Sequence, residues 1–153
     1  MLPPKDRPLH AEQNSRLASA SVTRTPAAGS STRILIVDHD RQVGMSLSFM
    51  LSTRQYDEVR VVRSAKRAVA IAEQFRPEMI FLDFELPDEG GIAVARQLVR
   101  NARSPRPRLI ALSNQAEHPQ KQEARAAGFE RFLVKPVAHE ELDKILGISR
   151  TAA

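Results

Sequence analysis

Cysteine is absent from the 153 residues, so disulfide staples and thiolate metal sites are excluded, and a reducing compartment fits. No apolar run approaches the roughly 18 residues that a membrane-spanning helix needs. The N-terminal Met1-Leu2-Pro3-Pro4-Lys5 lacks the apolar stretch of a secretory signal. A cytoplasmic protein without membrane contact is the expectation. Aromatic residues make up only 5% of the chain. The cluster Arg96, Arg100, Arg103, Arg106 and Arg108 therefore has no interleaved rings for base stacking, and it reads as a solvated face rather than a nucleic-acid patch. The net charge of +5 agrees with this: residues 1–32 hold four of the 23 basic and two of the 18 acidic side chains, leaving 19 against 16 elsewhere.

What is present is ordinary for a globular protein, with 42% apolar and 27% charged residues and a length that suits one domain. Residues 1–32 carry prolines at 3, 4, 8 and 26, a Ser/Thr/Ala-rich stretch and no period, which predicts a disordered basic extension. Residues 33–149 read as the domain and 150–153 as a tail. With about seven residues after the last expected helix, no output domain is predicted downstream.

Ile34-Leu35-Ile36-Val37 is a short β-branched run, as a strand buried on both faces reads. Asp40 suits an N-cap for a helix burying Val43, Leu47, Met50 and Leu51. Val59 to Val62 is a second strand; Ser64 caps a helix carrying Ala68, Val69, Ala72 and Phe75, which Pro77 stops. Met79 to Leu82 is a third strand, followed by a helix burying Ile92, Ala95, Leu98, Val99 and Ala102. Leu109 to Leu112 is the fourth, then a polar helix to Ala127 with Gly128 at its C-terminus. Phe132 to Val134 is the fifth, before a helix with Leu142, Ile145 and Leu146 that closes at Gly147. Alternating strands and helices predict an α/β fold, a five-stranded parallel sheet wound on both faces.

Four of those strands end in a chemically useful group: Asp38, Asp83, Ser113 and Lys135. In open α/β sheets ligands bind beyond the carboxyl ends of the strands. If the strands ending in these four residues are consecutive neighbours in the sheet, about 4.8 Å apart, the side chains can converge on one small site. Gathered carboxylates repel by about 4 kcal/mol per pair at 4 Å in an effective dielectric of 20, so a cation belongs among them. Lys135 is one candidate and a hard divalent ion, Mg²⁺ first, is the other. A carboxylate flanked by both is poised to attack a phosphoryl donor.

Ile34 to Asp40, Phe81-Leu82-Asp83-Phe84-Glu85-Leu86-Pro87 with Gly90-Gly91, Ala111-Leu112-Ser113 and Phe132-Leu133-Val134-Lys135-Pro136 resemble, in that order, the receiver domain of response regulators. The likeness covers about residues 33–148. It implies a flavodoxin-like (βα)5 fold with strand order 2-1-3-4-5 and a stand-alone, chemotaxis-type receiver of a two-component phosphorelay. Asp83 is then the phosphoacceptor, Asp38 part of the acidic pair holding Mg²⁺, and Glu85 a metal contact through its backbone carbonyl. Lys135 and Ser113 contact the phosphoryl group, Phe132 is the aromatic switch, and Lys135-Pro136 is a cis peptide. The donor is a histidine kinase or phosphotransfer protein. The output is binding to an unknown downstream protein or onward phosphotransfer, with homodimerisation left open. Such a protein is a signalling phosphoacceptor and not an enzyme, apart from self-catalysed phosphorylation and dephosphorylation.

The pattern departs at His39, where the family has a second acidic ligand. Imidazole suits Mg²⁺ poorly, which predicts weakened binding; Mn²⁺ accepts nitrogen more readily. Two other readings share these residues. A degenerate receiver would dock partners without phosphorylation. A haloacid dehalogenase-type phosphatase would use Asp38 and Asp40, but it leaves Asp83 unexplained. Taken singly, Ser113 is a helix cap and Phe132 a core aromatic; His10, His118 and His139 show no ligand spacing and are expected in solvent.

Overall fold

The computed structural model describes residues 30–103 and 105–149; the extension up to residue 29, with His10, and the tail from residue 150 lie outside the described residues. The elements are β1 (Ser30–Val37), α1 (Arg41–Ser52), β2 (Tyr56–Val62), α2 (Ala65–Phe75), β3 (Met79–Asp83), α3 (Gly91–Asn101), β4 (Arg108–Ser113), α4 (Lys121–Ala127), β5 (Phe129–Val134) and α5 (His139–Leu146). All strand pairs are parallel and the order is β2-β1-β3-β4-β5. No described helix is long and apolar enough to cross a membrane.

The central strands are buried on both faces, which is why they read as unbroken apolar runs. Leu35, Val37, Ile80, Leu82, Leu109 and Ala111 point to one side. There α2, α3 and α4 supply Ala65, Ala68, Val94, Ala95, Leu98, Ala124 and Ala127. Each fully buried leucine or isoleucine contributes roughly 1.5–3 kcal/mol. Alternation sends Ile34, Ile36, Phe81, Ile110 and Leu112, all fully buried, to the other side. On that face α1 approaches β2 closely, since a Cβ built on Gly44 would fall 2.8 Å from Val61 Cγ1.

The edge strands are longer than their apolar content suggests. β2 begins at Tyr56 and β5 at Phe129, each buried and followed by two exposed charged residues. One-sided strands need no continuous apolar run, so Asp57, Glu58, Glu130 and Arg131 hid their starts. β1 likewise begins at Ser30, inside the stretch expected to be disordered, where Ser30 pairs with Tyr56.

Caps set the helix starts near the strand ends. The Asp40 side chain accepts from Gln42 N at 2.9 Å and begins α1. Ser64 accepts from Arg67 N, and Asp88 Oδ2, from the loop after β3, accepts from Ala65 N at 2.9 Å. Helix α2 stops at left-handed Arg76, before Pro77. Helix α3 ends at Asn101, one residue short of expectation: Ala102 is half-buried but already extended. Its start needs a glycine, because a Cβ on Gly91 would lie 2.7 Å from Phe84 Cα.

The unit Ala28–Val137 contains the sheet and α1 to α4; the C-terminal residues from Ala138 group apart from it and are described by themselves. There α5 buries Leu142, Ile145 and Leu146 and carries Glu140 and Glu141 in its first turn, which suits the helix dipole. It closes at left-handed Gly147, with Ile148 N donating to Asp143 O at 2.8 Å. His139 is exposed at its start.

Candidate functional site

The parallel register brings the polar strand ends level. Val37 pairs with Leu82, so the residues that follow, Asp38 and Asp83, stand side by side. Asp83 lies opposite Leu112, and Lys135 N donates to Ser113 O at 2.8 Å, which carries the β5 end to the same height. Both aspartates and Ser113 are fully buried. The Lys135 side chain, 6% exposed, places Nζ 3.0 Å from Asp38 Oδ2 and 3.3 Å from Asp83 Oδ1. Its bond to Pro136 is cis. Asp83 Oδ2 accepts from His39 N at 3.3 Å and meets His39 Nδ1 in a tight hydrogen bond. Oδ1 of Asp83 also accepts from Glu85 N at 3.0 Å. Asp38 Oδ1 accepts from Asp40 N at 2.8 Å.

These contacts separate the two carboxyls. Burial raises the Asp38 carboxyl above its ordinary value, the neighbouring Asp83 charge adds to that, and the Asp40 amide and Lys135 only partly offset it. Burial pushes Asp83 the same way, but His39, the Lys135 charge and the amides of Glu85 and His39 outweigh it, and the carboxyl sits below its ordinary value. Burial would lower Lys135; its carboxylate partners prevail and raise it. Of the two carboxyls, Asp83 is the one whose anionic form the fold favours.

Ser113 ends β4 one strand over. Its hydroxyl donates to Glu85 Oε2 at 2.9 Å and accepts from Gln115 N at 3.1 Å. Asn114 N donates to the other Glu85 oxygen at 3.4 Å. His118 Nε2 stands 3.7 Å from Glu85 Oε2, and its Nδ1 accepts from Gln120 N at 3.2 Å. Its ring sits edge-on to Phe84, centroids 4.5 Å apart, and Phe84 in turn lies 5.1 Å from Phe132.

The chain matches the response regulator receiver domain over residues 34–147. It belongs to that family. This receiver is 28% identical to the protein PilH of Pseudomonas aeruginosa over 114 residues, 74% of this chain and 93% of that one. It is 27% identical to the transcriptional regulatory protein PdtaR of Mycobacterium tuberculosis over 110 residues, 72% of this chain and 52% of the relative. The chain spans about half the length of several of the curated relatives it matches. The chemotaxis response regulator CheY4 of Vibrio cholerae superposes with a TM-score of 0.69 at 26% identity, over 75% of this chain and 95% of that one. The receiver domain of yeast Ssk1, solved with the histidine phosphotransfer protein Ypd1, shares the fold with a TM-score of 0.67 at 22% identity, covering 80% and 88%.

Receivers generally bind Mg²⁺ in an acidic pocket. In this receiver Asp38, His39 and Asp83 each offer one ligand atom, all within 4.8 Å of one another. Two carboxylate oxygens and an imidazole nitrogen suit a divalent cation, though they meet only in part the all-oxygen preference of Mg²⁺. Asp40 points its carboxylate at the start of α1, away from the role a phosphatase reading would give it. Two side chains escaped the sequence. The His118 side chain, expected in solvent, is 7% exposed and packed on Phe84. The Glu85 side chain was given no partner, and it joins Ser113. His118 left no sequence signal because residues 114–120 form an irregular loop without a period, and Glu85 left none because Ser113 is 28 residues away. Phe132 is half-buried, in reach of Phe84, Phe129 and the Lys121 ammonium 5.7 Å from its centroid. Of the basic cluster, Arg96 pairs with Glu123 and Arg108 with Glu130; Arg100, Arg103 and Arg106 are exposed.

Proposed function

We propose that this receiver accepts a phosphoryl group on Asp83 from a histidine kinase or phosphotransfer protein in the cytoplasm and signals by protein binding or onward phosphotransfer. The observation that carries the reading is the buried Asp38–Asp83–Lys135 cluster, with Asp83 held anionic. An Asp83 carboxylate oxygen attacks phosphorus, and the bond from phosphorus to the donor nitrogen breaks. The electron pair leaves with the donor imidazole. Lys135 pairs with the new dianionic group, and Ser113 donates its hydroxyl once released from Glu85. A divalent ion held by Asp38, Asp83 and the Glu85 carbonyl, with His39 beside it, would neutralise charge on the transferring group. Phe132 follows Ser113 and alters the face formed by β5 and α4. Moving such a switch from 1:99 to 99:1 requires about 5.5 kcal/mol of preference for the active state.

Incubation with labelled acetyl phosphate tests the assignment. The chain should take up acid-stable, base-labile label, and Asp83→Asn should take up none; label that persists in the variant removes Asp83 from the mechanism. One observation favours a second reading. His39 stands where the family has an acid, and in a degenerate receiver that replacement leaves a docking module indifferent to phosphorylation. Its signature is partner binding that Asp83→Asn leaves unchanged.

A further inference from the structure

We infer that His39 makes this a mixed nitrogen–oxygen centre that takes a first-row transition ion, in the range Mn²⁺ to Zn²⁺, in preference to Mg²⁺, with Nδ1 as a direct ligand. The signalling consequence rests on the phosphoacceptor reading of Asp83, whereas the metal preference rests on the donor atoms alone.

The atom that converges is Nδ1. It contacts Asp83 Oδ2 and lies 3.8 Å from Asp38 Oδ1, so the ring nitrogen and both carboxylates face one point. The backbone fixes this aim from three sides. His39 N donates to Asp83 Oδ2 at 3.3 Å, Asp40 N to Asp38 Oδ1 at 2.8 Å, and Arg63 Nε to His39 O at 3.3 Å. The ring is not sealed in: the His39 side chain is 44% exposed, which leaves a path for an ion between solvent and the buried aspartates.

Ligand chemistry then decides the ion. Mg²⁺ demands near-octahedral oxygen and binds mainly through charge; this site offers it one anion fewer than two acids beside Asp83 would. Imidazole coordinates as the neutral ring with its proton on Nε2, and nitrogen favours borderline ions along the series from Mn²⁺ to Zn²⁺. The chain has no cysteine to draw such an ion elsewhere, and Asp38, His39 and Asp83 are the only described group of three such residues within ligand reach. Phosphoryl uptake by Asp83 therefore responds to Mn²⁺ at concentrations where Mg²⁺ is without effect.

The test uses the full chain, with Mn²⁺ as probe and Mg²⁺ and Zn²⁺ as competitors. Free Mn²⁺ is read by electron paramagnetic resonance, and bound Mn²⁺ by nitrogen-14 spin-echo modulation. The wild type should bind Mn²⁺ more tightly than Mg²⁺ and show directly coordinated nitrogen. His39→Gln, which keeps the charge, should lose the nitrogen coupling and at least about tenfold in Mn²⁺ affinity, the lower end of what even an outer-shell change costs a metal site. His39→Asp should shrink the Mn²⁺ over Mg²⁺ preference by a similar factor. Bound Mn²⁺ without nitrogen coupling, no Mn²⁺ binding, or an unchanged preference in His39→Asp overturns the inference. Intact-mass labelling by acetyl phosphate in the same samples separates the two readings. Label with Mg²⁺ and no nitrogen coupling removes only the metal preference; nitrogen coupling with no label under any ion removes only the phosphoacceptor role.

Discussion

Replacing Glu85 should make the receiver easier to switch. Glu85 Oε2 accepts the Ser113 hydroxyl at 2.9 Å, and His118 Nε2 stands 3.7 Å behind the same oxygen. Ser113 cannot serve a phosphoryl group on Asp83 while it donates there, since a hydroxyl has one proton to give. A hydrogen bond to a charged group is worth about 1.5–3 kcal/mol net, and partial exposure of Glu85 argues for the low end. At about 1.4 kcal/mol the released form of Ser113 becomes roughly tenfold more populated in Glu85→Ala. A ligand that binds only the released form gains affinity by up to the same factor. Beryllofluoride, a phosphoryl mimic, reports this by fluorine NMR titration at saturating divalent ion. Glu85→Gln is the control, because its amide oxygen still accepts from Ser113 while the charge is gone. His118→Ala should give part of the gain alone and none in the Glu85→Ala background. Equal gains in Glu85→Ala and Glu85→Gln would show charge repulsion instead of a latch, and no gain in either would refute the reasoning.

Other perturbations follow from the same contacts. The Asp38 carboxyl is raised in the fold, so its stabilising contribution is complete below the ordinary carboxylate value and lost as pH rises through the higher folded value. Metal-free Asp38→Asn should therefore gain stability relative to the wild type as pH rises from the acid range through that value, and a difference between the two that stays constant with pH would contradict the assigned cause. Lys135 is also raised, and its contribution is full below 10.5 and lost as pH climbs through the higher folded value. Denaturant melts of the wild type should weaken above that point more steeply than those of Lys135→Met. Asp83 behaves oppositely: its contribution is present above 3.8 and lost as pH falls through its depressed folded value. Gly91→Ala forces a methyl against Phe84 Cα, where a Cβ would stand at 2.7 Å, and should cost about 1–3 kcal/mol in urea melts.

The sheet was legible because its central strands are buried on both faces and end abruptly in Asp38, Asp83 and Ser113. The caps at Asp40 and Ser64 were legible because side chain and turn lie within three residues. What escaped depends on partners distant in sequence. The starts of β2 and β5 are polar edge strands specified by their neighbours, and Asp88 reaches α2 from 23 residues away. Glu85 meets Ser113 across 28 residues, and His118, in an irregular loop, meets Phe84 across 34. Composition carries no trace of such meetings. The His39 departure was visible as a residue type, but its ring could be aimed at Asp83 only by the backbone that holds it.

The role of Asp83 is open to one direct measurement. After incubation with acetyl phosphate and a divalent ion, borohydride reduction converts an aspartyl phosphate to homoserine, and peptide mass spectrometry locates it. The modification should fall on Asp83 and nowhere else; homoserine at Asp38, or an unmodified chain under both Mg²⁺ and Mn²⁺, would contradict the assignment.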